Sequence, residues 1–290
     1  MISGIDPKVD YAFKRIFGIE ANTPILLDLL NAVLDPPPGR RIEALELCNP
    51  FNEKETTNDK LSIVDVKARD ERGEYYNVEM QMHAVPAYPE RVLYYWAKIY
   101  SNQLAAADDY DELKPTFSIS FVNDVLFAAV PEYHSIFELR NVLHPLEVFS
   151  PCQSIHLVEL PKFRKRVEEV GAPFDVWCYF LKHAASLDSE HLPAVLHLPA
   201  VERALEVLNV ISKTDLERER YLAAERWERD HRTFVRAAEI AEAKGVVIGR
   251  IHVYQRLLNL PQTAINNLRT RSIADLEAEA RMLEGKLTAK

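Results

Sequence analysis

The sequence predicts a mixed α/β domain with a central sheet flanked by helices, followed by an α-helical C-terminal tail. Three observations carry this. Runs with period-two alternation are interleaved with helical stretches over residues 1–200. Two of those runs flank "DERG", a hairpin signal with Gly73 near its end. Beyond residue 200 the texture becomes dense mixed charge at helical spacing. The expected division is a domain over residues 1–200 and a helical region over 201–290.

The elements follow in order. "DPKVDYAFKRIFG" reads as a helix with Asp6 as N-cap, Pro7 in the first helical position and Gly18 as the stop. Val9, Phe13, Ile16 and Phe17 form its apolar stripe, and Asp10 and Lys14 share another face at i, i+4. A second helix covers Pro24 to Leu34 and ends before "DPPPG". Strands are expected over 60–69 and 74–83, a long helix over 89–105, and strands over 115–124 and 154–162. In the tail, a charged helix is expected to end at Gly245, with two short helices after it. Ser272 followed by Asp275 resembles a capping box. A helix-turn-helix that reads DNA has no specific residue to support it.

Composition excludes several classes. There is no run of about 18 apolar residues, so no membrane span is expected, and the early charges do not suit a secretory leader. A cytoplasmic protein is the expectation. Cys48, Cys152 and Cys178 are odd in number and scattered, which argues against a disulfide framework or a thiolate zinc site. Among nine histidines none forms an H-E-x-x-H pattern, and His183 and His191 read as structural or surface residues. Eight glycines leave little room for a phosphate-cradling loop. Net charge is −9, but it is uneven: residues 1–200 hold 30 acidic and 19 basic side chains, residues 201–290 hold 14 and 16. The acidic part fits either a metal site or a solvated surface.

"YYNVEMQMH", residues 75–83, carries the chemistry. As a strand it turns Tyr76, Val78, Met80 and Met82 to one face and Tyr75, Asn77, Glu79, Gln81 and His83 to the other. The polar face either meets water or holds a ligand. Asp65 bears on the choice, because it stands inside the apolar run "SIVDV", where a carboxylate needs a partner, solvent or a cation. Two carboxylates on neighbouring strands can converge on one divalent ion, and Mg2+ takes oxygen ligands of this kind. Such an ion activates water and neutralises charge on a phosphodiester.

The arrangement D-(x)n-E-x-Q resembles the PD-(D/E)XK nuclease pattern, with Gln81 where the lysine stands and Val64 where the proline stands. The segments "DPKVDYAFKRIFG", "NDKLSIVDVKARDERGEYYNVEMQMH", "ERVLYYWAKIYSNQL", "DDYDELKPTFSISFVND" and "VWCYFLKHA" follow one another as in the Rpn family of recombination-promoting nucleases, the PD-(D/E)XK nuclease family transposases. The resemblance covers residues 5–200. It implies a restriction-endonuclease-like fold and DNA cleavage dependent on Mg2+ or Mn2+. It further implies Asp65 and Glu79 as metal ligands and Gln81 in the lysine's position. Asp10 is a candidate third acid, or else an acid favoured by the helix dipole. Arg91 and Tyr95, at i, i+4 on the helix after the second strand, are candidates for the DNA backbone, with a packed surface pair as the plain alternative. Lys67 shares the face of Asp65 and ranks below them. His83 is assigned no role.

Two functions remain in view. One is a metal-dependent DNA endonuclease linked to recombination or mobile elements. The other is a weak or inactive nuclease scaffold that binds DNA or protein, since fold alone does not settle function. A homodimer through the helical C-terminal region would let two sites address two strands.

Overall fold

The computed structural model describes residues 2–48, 51–52, 62–63, 65–83, 87–105 and 108–288. The elements are α1 (Asp10–Phe17), α2 (Thr23–Leu34), β1 (Leu45–Leu47), β2 (Phe51–Asn52), β3 (Ser62–Ile63), β4 (Val66–Asp70), β5 (Tyr75–Gln81), α3 (Tyr88–Ser101), β6 (Thr116–Val122), β7 (His134–Phe137), β8 (Gln153–Glu159), α4 (Pro173–His183), α5 (Pro199–Lys213), α6 (Asp215–Leu257), α7 (Ile265–Arg269) and α8 (Ile273–Thr288). The chain divides into two compact units, Met1–Glu228 and Arg229–Lys290.

The first unit is built on a six-stranded mixed sheet of order β1-β4-β5-β6-β8-β7. β4 and β5 form the expected antiparallel hairpin, turning at Gly73, whose φ of 83° suits a residue without Cβ. β5, β6 and β8 run parallel. β1 and β7 close the two edges antiparallel. β7 was not legible in advance, because four residues give too short an alternation.

One face of the sheet carries the main core. Phe13, Ile16 and Phe17 of α1 meet Val66, Ala68, Val78 and Met80 of the hairpin, with Leu26, Leu29 and Leu30 of α2 and Trp177 and Phe180 of α4. The predicted stripe of α1 is therefore its buried face. Gly18 ends α1 as expected, donating its N–H to the Lys14 carbonyl at 2.9 Å. A Cβ there would lie 3.0 Å from that carbonyl oxygen, a tight approach within the helix end itself, and in ordinary contact at 3.5 Å with Val66 Cγ2 of β4.

Three expectations need correction. α1 begins at Asp10, not beside Asp6: Asp6 Oδ1 accepts the Lys8 N–H at 2.9 Å and its carbonyl takes the Val9 N–H, which closes a turn ahead of the helix. The strand expected over 60–69 is two pieces among the described residues. Ser62–Ile63 pairs with Phe51–Asn52, while Val66–Asp70 joins the main sheet. Between them Asp65 Oδ2 accepts the Met80 N–H at 3.0 Å, a donor that a continued ladder would give to a backbone carbonyl. Val64 lies outside the described residues. Finally, α6 does not stop at Gly245 but continues through Gly249 to Leu257; an isolated glycine costs a helix only about 1 kcal/mol.

α3 covers the other face of the sheet. Tyr88 and Val92 pack with Val122 and Leu157 in a small apolar cluster. Beside that cluster the sheet presents a buried polar row: Asn77 and Glu79 from β5, Thr116, Ser118 and Ser120 from β6, and Gln153 from β8.

The second unit has its own small core, formed by Val247, Ile248 and Ile251 of α6, Leu268 of α7 and Leu276, Ala280 and Leu283 of α8. Ser272 caps α8 as the sequence suggests: its Oγ accepts the Asp275 N–H at 3.2 Å and donates to Asp275 Oδ2 at 2.6 Å. Among the described residues no single helix is long and apolar enough to cross a membrane.

Candidate active site

The register of the hairpin sets the site. The ladder ends at the Val66–Val78 pair, Asp65 follows immediately before Val66, and its charge acts on Glu79, the residue after Val78, whose side chain lies on the face that α3 covers. Both are withdrawn from water: the Asp65 side chain is 14% exposed and Glu79 is 2% exposed.

Each carboxylate is held in the same way, one oxygen by a neutral donor and the other by a cation. Asp65 Oδ2 takes the Met80 N–H, and its Oδ1 lies 3.3 Å from Lys14 Nζ. Glu79 Oε1 accepts from Asn77 Nδ2 at 3.1 Å, and its Oε2 lies 3.8 Å from the Arg91 guanidinium. Burial raises the pKa of both acids. Asp65 is pushed to about 6, with Lys14 opposing the rise and Asp10 adding to it. Glu79 is pushed to about 7, with the Asp65 charge adding to the effect of burial. Burial would lower Lys14, but the charges of Asp65 and Asp10 outweigh it and hold its pKa above the ordinary value.

Asp10, the first residue of α1, reaches this pair through Lys14, which it meets at 2.7 Å. Arg91 lies over the rings of Tyr88 at 4.9 Å and Tyr95 at 5.8 Å, so Tyr95 supports Arg91 from the next turn of α3. Gln81 follows Glu79 on the same strand face and stays partly exposed, its carbonyl accepting the Asn123 N–H at 2.9 Å. Lys67 Nζ lies 5.8 Å from the centre of the Tyr75 ring.

The structure adds residues that the sequence did not single out. Near Glu79, Tyr88 OH and Ser120 Oγ are buried with only each other for company, and Asn77 Oδ1 is buried without a hydrogen-bond partner among the described residues, as is Nε of the already singled-out Arg91. Ser120 pairs with Glu79 in the β5–β6 register. Asn77 was visible on the polar face, but nothing marked it off from a solvated amide. Glu228 arrives from α6, and its Oε1 accepts the Asp10 N–H at 2.9 Å. Burial raises its pKa to about 7, with the Asp10, Asp6 and Asp65 charges adding to the rise. Tyr221, two turns earlier, accepts the Asp6 N–H at 3.0 Å. No local sequence signal couples these residues to α1.

A family model described as PD-(D/E)XK nuclease family transposase matches residues 7–238. The chain belongs to the PD-(D/E)XK nuclease family transposases. No curated protein and no solved structure matches it. The mixed sheet with flanking helices is accordingly a PD-(D/E)XK nuclease-like α/β fold, and membership in this family supports a nuclease type of function.

Nucleases of this class use divalent metals, so the donor set has to be tested against one. Among the described residues no group of three or more His, Cys, Asp or Glu is placed to hold an ion. The two neighbouring carboxylates nevertheless fit a divalent ion of the kind that keeps several waters and needs only one or two carboxylates together with substrate phosphate. Asp65 Oδ1 and Glu79 Oε2 are the oxygens not engaged by a neutral donor, and both already face positive charge.

Proposed function

We propose that this nuclease-family protein is a Mg2+-dependent DNA endonuclease, Mn2+ substituting, that hydrolyses phosphodiester bonds at Asp65 and Glu79. The supporting observation is the pair itself: two carboxylates largely withdrawn from water, the Asp65 charge adding to the cost of ionising Glu79. A divalent cation relieves that cost, and when bound it supplies Lewis-acid polarisation and a more acidic water.

The chain's own residues divide the remaining work. Asp65 and Glu79 hold the ion. Gln81, two residues past Glu79, orients the attacking water but brings no charge. Arg91, steadied by Tyr88 and Tyr95, is placed to meet the DNA backbone. Tyr95 and Lys67 are further candidates for that contact, and Asp10 joins the site through Lys14. The proposal includes a cytoplasmic location, a role in recombination or mobile elements, residues 1–200 as the nuclease domain, and a homodimer through residues 201–290.

A second reading has its own observation. Lys14 and Arg91 balance the two carboxylates without any metal. Together with Gln81 this suits a weak or inactive nuclease scaffold that binds DNA or protein.

Nicking of supercoiled plasmid at low salt, with Mg2+ or Mn2+, separates the two. Low salt preserves phosphate contacts. The nuclease reading expects cutting by the wild type and none by Asp65→Ala. Equal cutting by both removes Asp65 from the site, and no cutting by folded wild type favours the scaffold.

A further inference from the structure

We infer that Lys14 supplies the positive charge that Gln81 cannot, serving as the counter-ion of Asp65 in the free protein and as a phosphate contact once substrate and metal arrive. This rests on the nuclease reading for its substrate, a phosphodiester.

The argument begins at Asp65. Its Oδ2 is committed to the Met80 N–H, so Oδ1 is the oxygen left for a ligand. Lys14 Nζ stands 3.3 Å from that atom. A cation bound at Oδ1 and any anion it carries therefore enter the immediate surroundings of the Lys14 ammonium. Gln81, two residues past the second carboxylate, has only an amide to offer.

Lys14 is suited to move. It has two carboxylate partners, and the closer is Asp10 at 2.7 Å. It can give up Asp65 to an incoming ion and remain neutralised by Asp10. Its side chain is 39% exposed, so the residue is reachable from solvent. Lysine carries a point charge on a flexible stem, with donors that rotate freely.

Arg91 is the rival cation and is built differently. It lies against the rings of Tyr88 and Tyr95 and pairs with Glu79 at 3.8 Å. Its planar fork is fixed by stacking, which suits holding a backbone phosphate but not changing partners. The two cations thus divide by mobility: Arg91 stays and Lys14 transfers.

The inference separates metal binding from phosphate binding. In the free protein Lys14 competes with a cation for Asp65 Oδ1. Lys14→Met therefore keeps or tightens metal affinity, whereas Asp65→Ala loses it. In the metal-loaded protein Lys14 attracts DNA, so Lys14→Met weakens the gain in DNA affinity that metal brings.

The test uses the full chain as wild type, Lys14→Met, Lys14→Arg and Asp65→Ala, each checked by thermal melting. Mn2+ binding is read by electron paramagnetic resonance. Binding of a fluorescein-labelled duplex is read by anisotropy with Ca2+ and with chelator. Nicking with Mg2+ is read under single turnover. Lys14→Met is expected to bind Mn2+ at least as tightly as wild type, to lose the Ca2+-dependent gain in DNA affinity, and to nick about 100-fold more slowly. Lys14→Arg is expected to recover part of both losses. Loss of Mn2+ by Lys14→Met, matching Asp65→Ala, overturns the inference and makes Lys14 a brace for Asp65. An unchanged Ca2+-dependent gain also overturns it. If wild type does not nick but the gain still depends on Lys14, the nuclease reading fails alone and the phosphate contact stands. If wild type binds neither Mn2+ nor DNA, both fall.

Discussion

The two faces of β5 are both dry in the middle of the strand and chemically opposite. On one, Tyr76, Val78 and Met80 are at most 4% exposed and pack into the main core. On the other, Asn77 and Glu79 are at most 2% exposed, beside Ser118 and Ser120 of β6. Burial does not distinguish them. Hydrogen-bond satisfaction does, because the second face leaves Asn77 Oδ1 and the nearby Arg91 Nε without partners among the described residues. A buried polar atom left unpaired costs about 1–3 kcal/mol. Stability therefore resides on the first face, while the second retains costly groups next to two carboxylates.

The contrast is open to attack by mutation. The largest expected effect is on catalysis from the polar face: Asp65→Ala or Glu79→Ala lowers single-turnover nicking by more than about 1,000-fold, the loss of a charge-stabilising ligand being at least that of an oxyanion donor. Residual Mg2+-dependent cutting near the wild-type rate would move the chemistry elsewhere. Next comes Phe121→Ala on β6, whose fully buried ring stands beside Met80 in the same apolar core. Urea unfolding at pH 7 should show a loss of about 3–5 kcal/mol. A loss below about 1 kcal/mol would mean that the core is not where the fold draws its strength.

Glu79→Gln sharpens the comparison through pH. The ordinary carboxyl values are 3.8 for Asp65 and 4.5 for Glu79, and the folded protein raises them to about 6 and about 7. Between about pH 4 and 7 the folded state therefore holds protons that the unfolded chain has already released. The stability this contributes is complete below about pH 4 and lost by about pH 7. Glu79→Gln should melt higher than wild type at pH 8, with the gap closing toward pH 5, as differential scanning fluorimetry will show. An equal gap at both pH values would contradict the raised pKa. The smallest effect belongs to Ser120→Ala, which removes a buried hydroxyl whose one polar neighbour is Tyr88 OH and should change stability by about 1 kcal/mol or less. A cost near that of Phe121→Ala would turn the polar row into a structural network.

Much of this was legible in the sequence, and the reason is periodicity. The stripe of α1, the hairpin around Gly73, and the shared face of Asn77, Glu79 and Gln81 all follow from spacing within one element. Asp65 stood out because a carboxylate interrupts an apolar run. What escaped depends on contacts across the chain. The strand break at Asp65 arises from a bond to Met80, fifteen positions on. Lys14 was readable as a helix-surface partner of Asp10, but its place on Asp65 is a tertiary fact. The early turn at Asp6 beat a plausible N-cap, and the passage of α6 through Gly245 shows how little one glycine weighs in a helix of 43 residues.

The α1 terminus brings in another scale, that of synthesis. Its backbone donors at Asp6 and Asp10 are satisfied by Tyr221 and Glu228, which lie 215 and 218 positions later in the chain. A ribosome completes Asp10, Lys14, Asp65, Glu79 and Arg91 long before it reaches these two partners. A nascent chain shorter than 228 residues thus carries every acid and base of the candidate site while the helix that seats Lys14 still lacks its clasp. The order of translation leaves the candidate site without this clasp until most of the polypeptide has been made.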